Sequence, residues 1–146
     1  MGQKRTAARS AQWPLLAEFV INWDDTMVDV TGAPKDFKTA GASNFDIINL
    51  PPGAIIQGGE VVVETAFAGS TTVPITLGDS VNATRYLGST SLMTLARTAI
   101  VPTGYVGQGE NIRMNFAPTG ALATAGKASV RVWYSIRDRA NETIPN

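Results

Sequence analysis

The chain has 146 residues, with no cysteine and no histidine. That is long enough for one domain with its own core, and it excludes disulfides, thiolate nucleophiles, the usual zinc sites and any histidine-based triad. Net charge is zero, which argues against a dedicated nucleic-acid binder; no apolar run approaches the ~18–20 residues of a membrane span.

In chain order, residues 1–12 (MGQKRTAARSAQ) carry Lys4, Arg5 and Arg9 and no acid. Without apolar periodicity they read as an N-terminal arm, which either frays or becomes ordered on a neighbour. Trp13, before Pro14, could anchor that arm to its own domain or to another. The apolar run 15–21 is interrupted by Glu18 and lacks a cleavage site, so no secretory signal is expected. The sequons at Asn82 and Asn141 then carry no meaning, and the myristoylation-like start is a loose match. The domain is expected over 13–140, with 141–146 as a short tail.

From residue 15 onward the dominant signal is period two. Leu15, Ala17, Phe19, Ile21 and Trp23 form one stripe, and Val61, Val63, Thr65 and Phe67 another. Ile112, Met114 and Phe116 alternate with Asn111, Arg113 and Asn115; Val130, Val132, Tyr134 and Ile136 alternate with Ser129, Arg131, Trp133, Ser135 and Arg137. Such alternation predicts strands with one buried and one wet face. Strands are expected at 15–23, 26–31, 45–50, 60–67, 73–78, 82–87, 97–101, 111–117 and 127–137, the first two also readable as one long bent strand. Turns are expected at Gly58-Gly59, Gly69-Ser70, Gly78-Asp79, Gly88-Ser89 and Gly126, among others. Residues 91–96 could form one weak helical turn. Pro74 predicts that 73–78 lies at a sheet edge. The longer connections at 32–44 and 88–96 suit Greek-key crossings. The fold class is therefore all-β: a jelly-roll or β-sandwich of about eight antiparallel strands with an extended N-terminal arm.

The zero net charge hides a pattern. Residues 1–10 carry +3, residues 11–80 carry −7 and residues 81–146 carry +4. Either opposite charges meet between strands of one domain, or subunits present complementary patches to each other.

No catalytic, cofactor or metal site emerges. Asp24, Asp25, Asp29 and Asp36 lie close in sequence, but their spacing matches no calcium loop. None of the twelve acids is singled out as a glycosidase-type pair, and the glycine-rich stretch 104–109 lacks the Lys-Ser/Thr of a phosphate cradle. Trp133 is the most informative residue. It stands between Arg131 and Ser135 on the outward face of a cleanly alternating strand, with Arg137 beyond, as an interface hot spot would. The alternative is cover from within the chain, by the arm or by stacking on an arginine. The expected partner interface is Lys4, Arg5, Arg9, Trp13, Arg131, Trp133 and Arg137. A carbohydrate- or receptor-binding module would instead use Trp133, Tyr105 or Trp23 as a stacking platform.

The blocks FDIINLPPGAIIQGGEVVVET, GDSVNATRYLG, RTAIVPTGYVG, ENIRMNF and TAGKASVRVWY, within residues 45–139, resemble capsid decoration (cement) proteins of tailed bacteriophages. The resemblance implies a jelly-roll domain forming homodimers or homotrimers on the outer capsid surface, where it staples neighbouring capsomers of the major capsid protein. It implies no enzyme activity, no cofactor, and no direct nucleic-acid or membrane partner. It places the protein in the virion and, during assembly, in the host cytoplasm, whose reducing conditions suit a chain without cysteine.

Overall fold

The computed structural model describes residues 14–137; the expected arm, Trp13 and the tail at 141–146 lie outside them. Ten strands follow in chain order: β1 (Leu15–Asn22), β2 (Thr26–Val28), β3 (Pro34–Asp36), β4 (Ser43–Ile48), β5 (Ala54–Thr72), β6 (Pro74–Gly78), β7 (Leu87–Ser91), β8 (Arg97–Ala99), β9 (Ile112–Phe116) and β10 (Thr119–Ile136). Eight of them form two four-stranded antiparallel sheets, β1-β10-β5-β8 and β4-β9-β6-β7, while β2 and β3 make a separate hairpin.

The pairings β1–β10, β4–β9, β5–β8 and β6–β7 nest one inside the next. The chain is thus one long hairpin with its apex between β6 and β7, rolled up so that β10 also meets β5 and β9 meets β6. This is a jelly roll, and it hides the inner faces of both sheets against each other. The links from β1 to β4 and from β7 to β8 both carry the chain from one sheet to the other, but the expected crossings at 32–44 and 88–96 overlap strands. The first contains β3 and the start of β4, and the second shortens to 92–96 because 88–91 belong to β7.

Period-two patterning explains the core. Val61, Val63, Ala128, Val130 and Val132 of one sheet are buried with Phe45, Ile75, Leu77, Ile112, Met114 and Phe116 of the other. Phe37, just past β3, plugs one end of this core. It meets Phe45 and Phe116 edge-on, with ring centroids 5.1 and 5.0 Å away, and Phe116 in turn meets Phe67 at 6.2 Å.

Four local expectations are corrected. Strand β6, which contains Pro74, lies inside its sheet between β9 and β7. Proline is tolerated there because it is the first residue of the strand, and its carbonyl still accepts from the Ala117 N–H at 3.2 Å. Residues 82–86 form a turn rather than a strand, and the strand comes later, at β7, across the expected Gly88-Ser89 turn. The cause is local. The Asp79 carboxylate accepts the N–H groups of Val81 and Asn82 at 2.8 and 2.7 Å, and the Asn82 side chain accepts that of Thr84, so side-chain bonds replace a ladder. Gly58-Gly59, Gly69-Ser70 and Gly126 are not turns but lie inside β5 and β10. At Gly59 a side chain would run into the Arg131 carbonyl of the neighbouring strand, so glycine marks close backbone approach there. Finally, residues 91–96 make no helical turn: Ser91 ends β7, then a bend and an extended link lead to β8.

Candidate functional site

Lys4, Arg5, Arg9 and Trp13 lie outside the described residues. Arg131 and Trp133 share the outer face of the β1-β10-β5-β8 sheet. Arg137 follows the end of β10, its N–H donating to the Gly53 carbonyl at 2.8 Å.

The register arranges that outer face in rows. Leu16 stands opposite Trp133, which stands opposite Gly58. The next row is Glu18, Arg131 and Glu60, and the next Val20, Ser129 and Val62. Leu16 is 59% exposed, Val20 39% and Trp133 38%, so apolar side chains alternate with a charged row. The charged row is internally neutralised. Arg131 reaches Glu18 at 3.3 Å and Glu60 at 3.6 Å; Arg97 of β8 grips Glu60 through two nitrogens; Lys127 meets Glu64 at 2.9 Å. The hydrogen bond from Lys127, with a lesser one from Ser129, holds the Glu64 carboxyl below its usual range. The opposed charges of the sequence segments therefore meet between neighbouring strands of one domain. By contrast, the outer face of the other sheet is polar, with Asn44–Asn115 and Asp46–Arg113 as cross-strand pairs.

A second cluster sits at one end of the sandwich. Asp79, 3% exposed, takes an ion pair from Arg85. The Arg85 guanidinium lies 3.7 Å from the centroid of the Tyr105 ring, whose hydroxyl donates to Glu110 at 3.0 Å. Burial pushes the Asp79 carboxyl up, but the bonds from Arg85, Asn82 and Val81 together outweigh it and hold it below its usual range. Burial and the nearby Asp79 charge raise the Tyr86 hydroxyl to about 12. Among the described residues no buried side-chain N or O lacks a partner, so this cluster is a closed structural network.

The acids singled out in the sequence do not converge. Asp25 caps Asn22, Asp29 accepts from Thr31 and Ala33, and Asp36 from Lys38 and Thr39. Among the described residues no group of acids is arranged to hold a metal. Nor do the three candidate stacking aromatics form one platform. Trp23 lies beyond the far end of β1 with Lys38 4.8 Å over its ring, and Tyr105 is covered by Arg85. A cavity of about 210 Å³ opens beside the β2–β3 hairpin, lined by Lys35, Asp36, Thr39, Ser43, Phe45 and Phe116.

Sequence reasoning missed Leu16 and Val20. The signal was present: in LLAEFVIN two of the four positions alternating with the core stripe, Leu16 and Val20, are themselves apolar.

No family model and no curated protein matches the sequence. Two solved structures share its fold. One is a chain of the cyanophage Pam1 capsid asymmetric unit, at 19% identity over 92% of this chain and 94% of that one, with a TM-score of 0.63. The other belongs to the acidic stable capsid structure of Helicobacter pylori bacteriophage KHP30, at 13% identity over 84% and 87%, with a TM-score of 0.58. The likeness is one of fold.

Proposed function

We propose that this protein is a bacteriophage virion structural protein. It binds the outside of the head and cements neighbouring capsomers of the major capsid protein, acting as a small homo-oligomer and without catalysis. The observation that carries the reading is the fold, which matches chains of two phage capsid structures over 92% and 84% of this chain. The outer sheet face fits a binding role, because Leu16, Val20 and Trp133 stay exposed on it in neighbouring strands. A cement protein draws strength from many weak joints repeated on a lattice, so a modest patch suffices.

The test is saturable binding. Purified protein, added to expanded heads of its own phage that lack it, should bind at a fixed stoichiometry and raise their resistance to heat or chelation. Heads that take up none of it, or take it up without saturation, would refute the reading. The carbohydrate-binding alternative would instead require a glycan array signal lost on replacing Trp133.

A further inference from the structure

Each sheet has two edges, and three of the four edge strands carry a protective device. Strand β8 has only three residues. Strand β7 meets its neighbour through an irregular register. Strand β4 is broken by a register shift after Asp46, and its Asn44 carbonyl accepts from Val30 at 2.9 Å. Strand β1 has none of these. It runs for eight residues, LLAEFVIN, in unbroken register, without proline or lysine.

The direction of its backbone groups follows from one bond. Trp23 donates to the Gly126 carbonyl at 3.0 Å, continuing the β1–β10 register, so the odd-numbered residues of β1 turn their N–H and C=O toward β10. The even-numbered residues turn theirs to the outer edge. Asn22 agrees, since its N–H donates to the Asp25 carboxylate at 3.1 Å and its carbonyl accepts the Asp25 N–H at 3.1 Å. That closes the edge at Asn22. Leu16, Glu18 and Val20 remain as the outward-facing ladder, with no strand partner among the described residues.

We infer that β1 is a self-association edge, on which a second copy of this chain docks its own β1 antiparallel about a two-fold axis. The self-complementary register that uses all three outward residues puts Glu18 on the axis, with Leu16 opposite Val20 of the copy. It joins two four-stranded sheets into one of eight strands. On the outer face, the exposed Leu16 and Val20 then cover each other and extend the Leu16–Trp133 row across the junction. On the inner face, the half-buried Ala17 meets Phe19 of the copy. The two Glu18 carboxylates would repel if bare. Each is already held by Arg131 of its own chain at 3.3 Å, so the two glutamates meet on the axis with an arginine flanking each of them. This inference deepens the oligomeric part of the proposed function and does not depend on capsid binding.

The test uses the full chain alone in solution. Sedimentation should show a monomer–dimer equilibrium, and hydrogen exchange should show the amides of Leu16, Glu18 and Val20 slowing as the dimer forms. Val20→Pro removes an outward N–H that β10 does not use, and Leu16→Lys places a charge on the junction. Each should weaken dimerisation by about tenfold or more while β10 amides stay protected. Should Val20→Pro fail to fold, Leu16→Lys decides. A monomer at every concentration, a trimer, or a dimer whose three edge amides still exchange freely overturns the inference. So does protection of those amides in the monomer, which would mean that residues 1–13 occupy the edge. None of these outcomes bears on head binding, which is measured separately.

Discussion

Arg131 and Glu60 stand opposite each other on β10 and β5, their charged groups 3.6 Å apart, with Arg97 closing on Glu60 from the other side. The basic segment 81–146 and the acidic segment 11–80 are thus stitched together strand by strand within a single sheet. Arg131 is therefore a structural tie as well as a neighbour of Trp133. Arg131→Ala should lower stability by about 1 kcal/mol, the upper range for partly exposed pairs. The difference from wild type should shrink in about 1 M salt, where such pairs are screened. Urea denaturation at two salt concentrations checks this. An unchanged midpoint would mean that the tie contributes nothing.

Stability should fall at both ends of the pH scale, for separate reasons. The folded state depresses the carboxyls of Asp79 and Glu64, so their stabilisation is present above their unfolded values of about 4 and is lost as pH drops through the lower folded values. Asp79→Ala leaves Arg85 without its carboxylate and should cost about 3 kcal/mol at neutral pH, with a weaker acid limb. Tyr86 has the opposite sign. Its hydroxyl is raised from 10.0 to about 12, so its contribution is full below pH 10 and disappears as pH climbs from there to about 12. Tyr86→Phe should flatten that alkaline limb in a pH series of melting temperatures.

Much of this fold was readable because each strand repeats one decision, in or out, at every second residue. Val130, Val132, Ile112 and Met114 made the two halves of the core legible, and Trp133 showed as outward for the same reason. What alternation cannot show is the partner across a strand. The tie between Arg131 and Glu18 spans 113 positions, and nothing local announces it. Glycine misled in a consistent way. Gly58, Gly59 and Gly126 looked like turns, yet each lies within a strand, and at Gly59 and Gly126 a side chain would have no room. Around Asp79 and Asn82 the error had another source, because short polar side chains captured the backbone N–H groups that a strand would have needed. Leu16 and Val20 escaped because they share their face with the polar Glu18 and Asn22, so alternation marked that face as wet without marking the apolar pair on it.

Trp133 stands between Leu16 of β1 and Gly58 of β5 and is 38% exposed. Trp133→Ala should cost only about 1–2 kcal/mol of stability, as the lost burial is partial. Attachment to heads should weaken by about tenfold or more, as expected for an aromatic anchor. Melting temperature and head-binding affinity, measured on the same protein, separate the two effects. A large loss of stability with unchanged attachment would make Trp133 a packing residue and nothing more.

Gly126 offers the sharpest test of how β10 is built. Its φ is +148°, and a side chain there would fall inside the Phe67 ring, which is itself buried in the core. Neither the backbone nor the ring can yield without disturbing the edge contact between Phe67 and Phe116. Gly126→Ala should therefore cost about 3 kcal/mol or more, combining an unfavourable conformation with overpacking. Gly88→Ala is the matched control. Gly88 also lies in a strand, but nothing stands within 4 Å of the added carbon and its φ is not in the left-handed region. That change should be neutral or stabilise by up to about 1 kcal/mol, through the lower entropy of the unfolded chain. If urea midpoints showed both alanines equally tolerated, β10 would not pass over Phe67 as described, and the bulge between Ala125 and Lys127 would have to be redrawn.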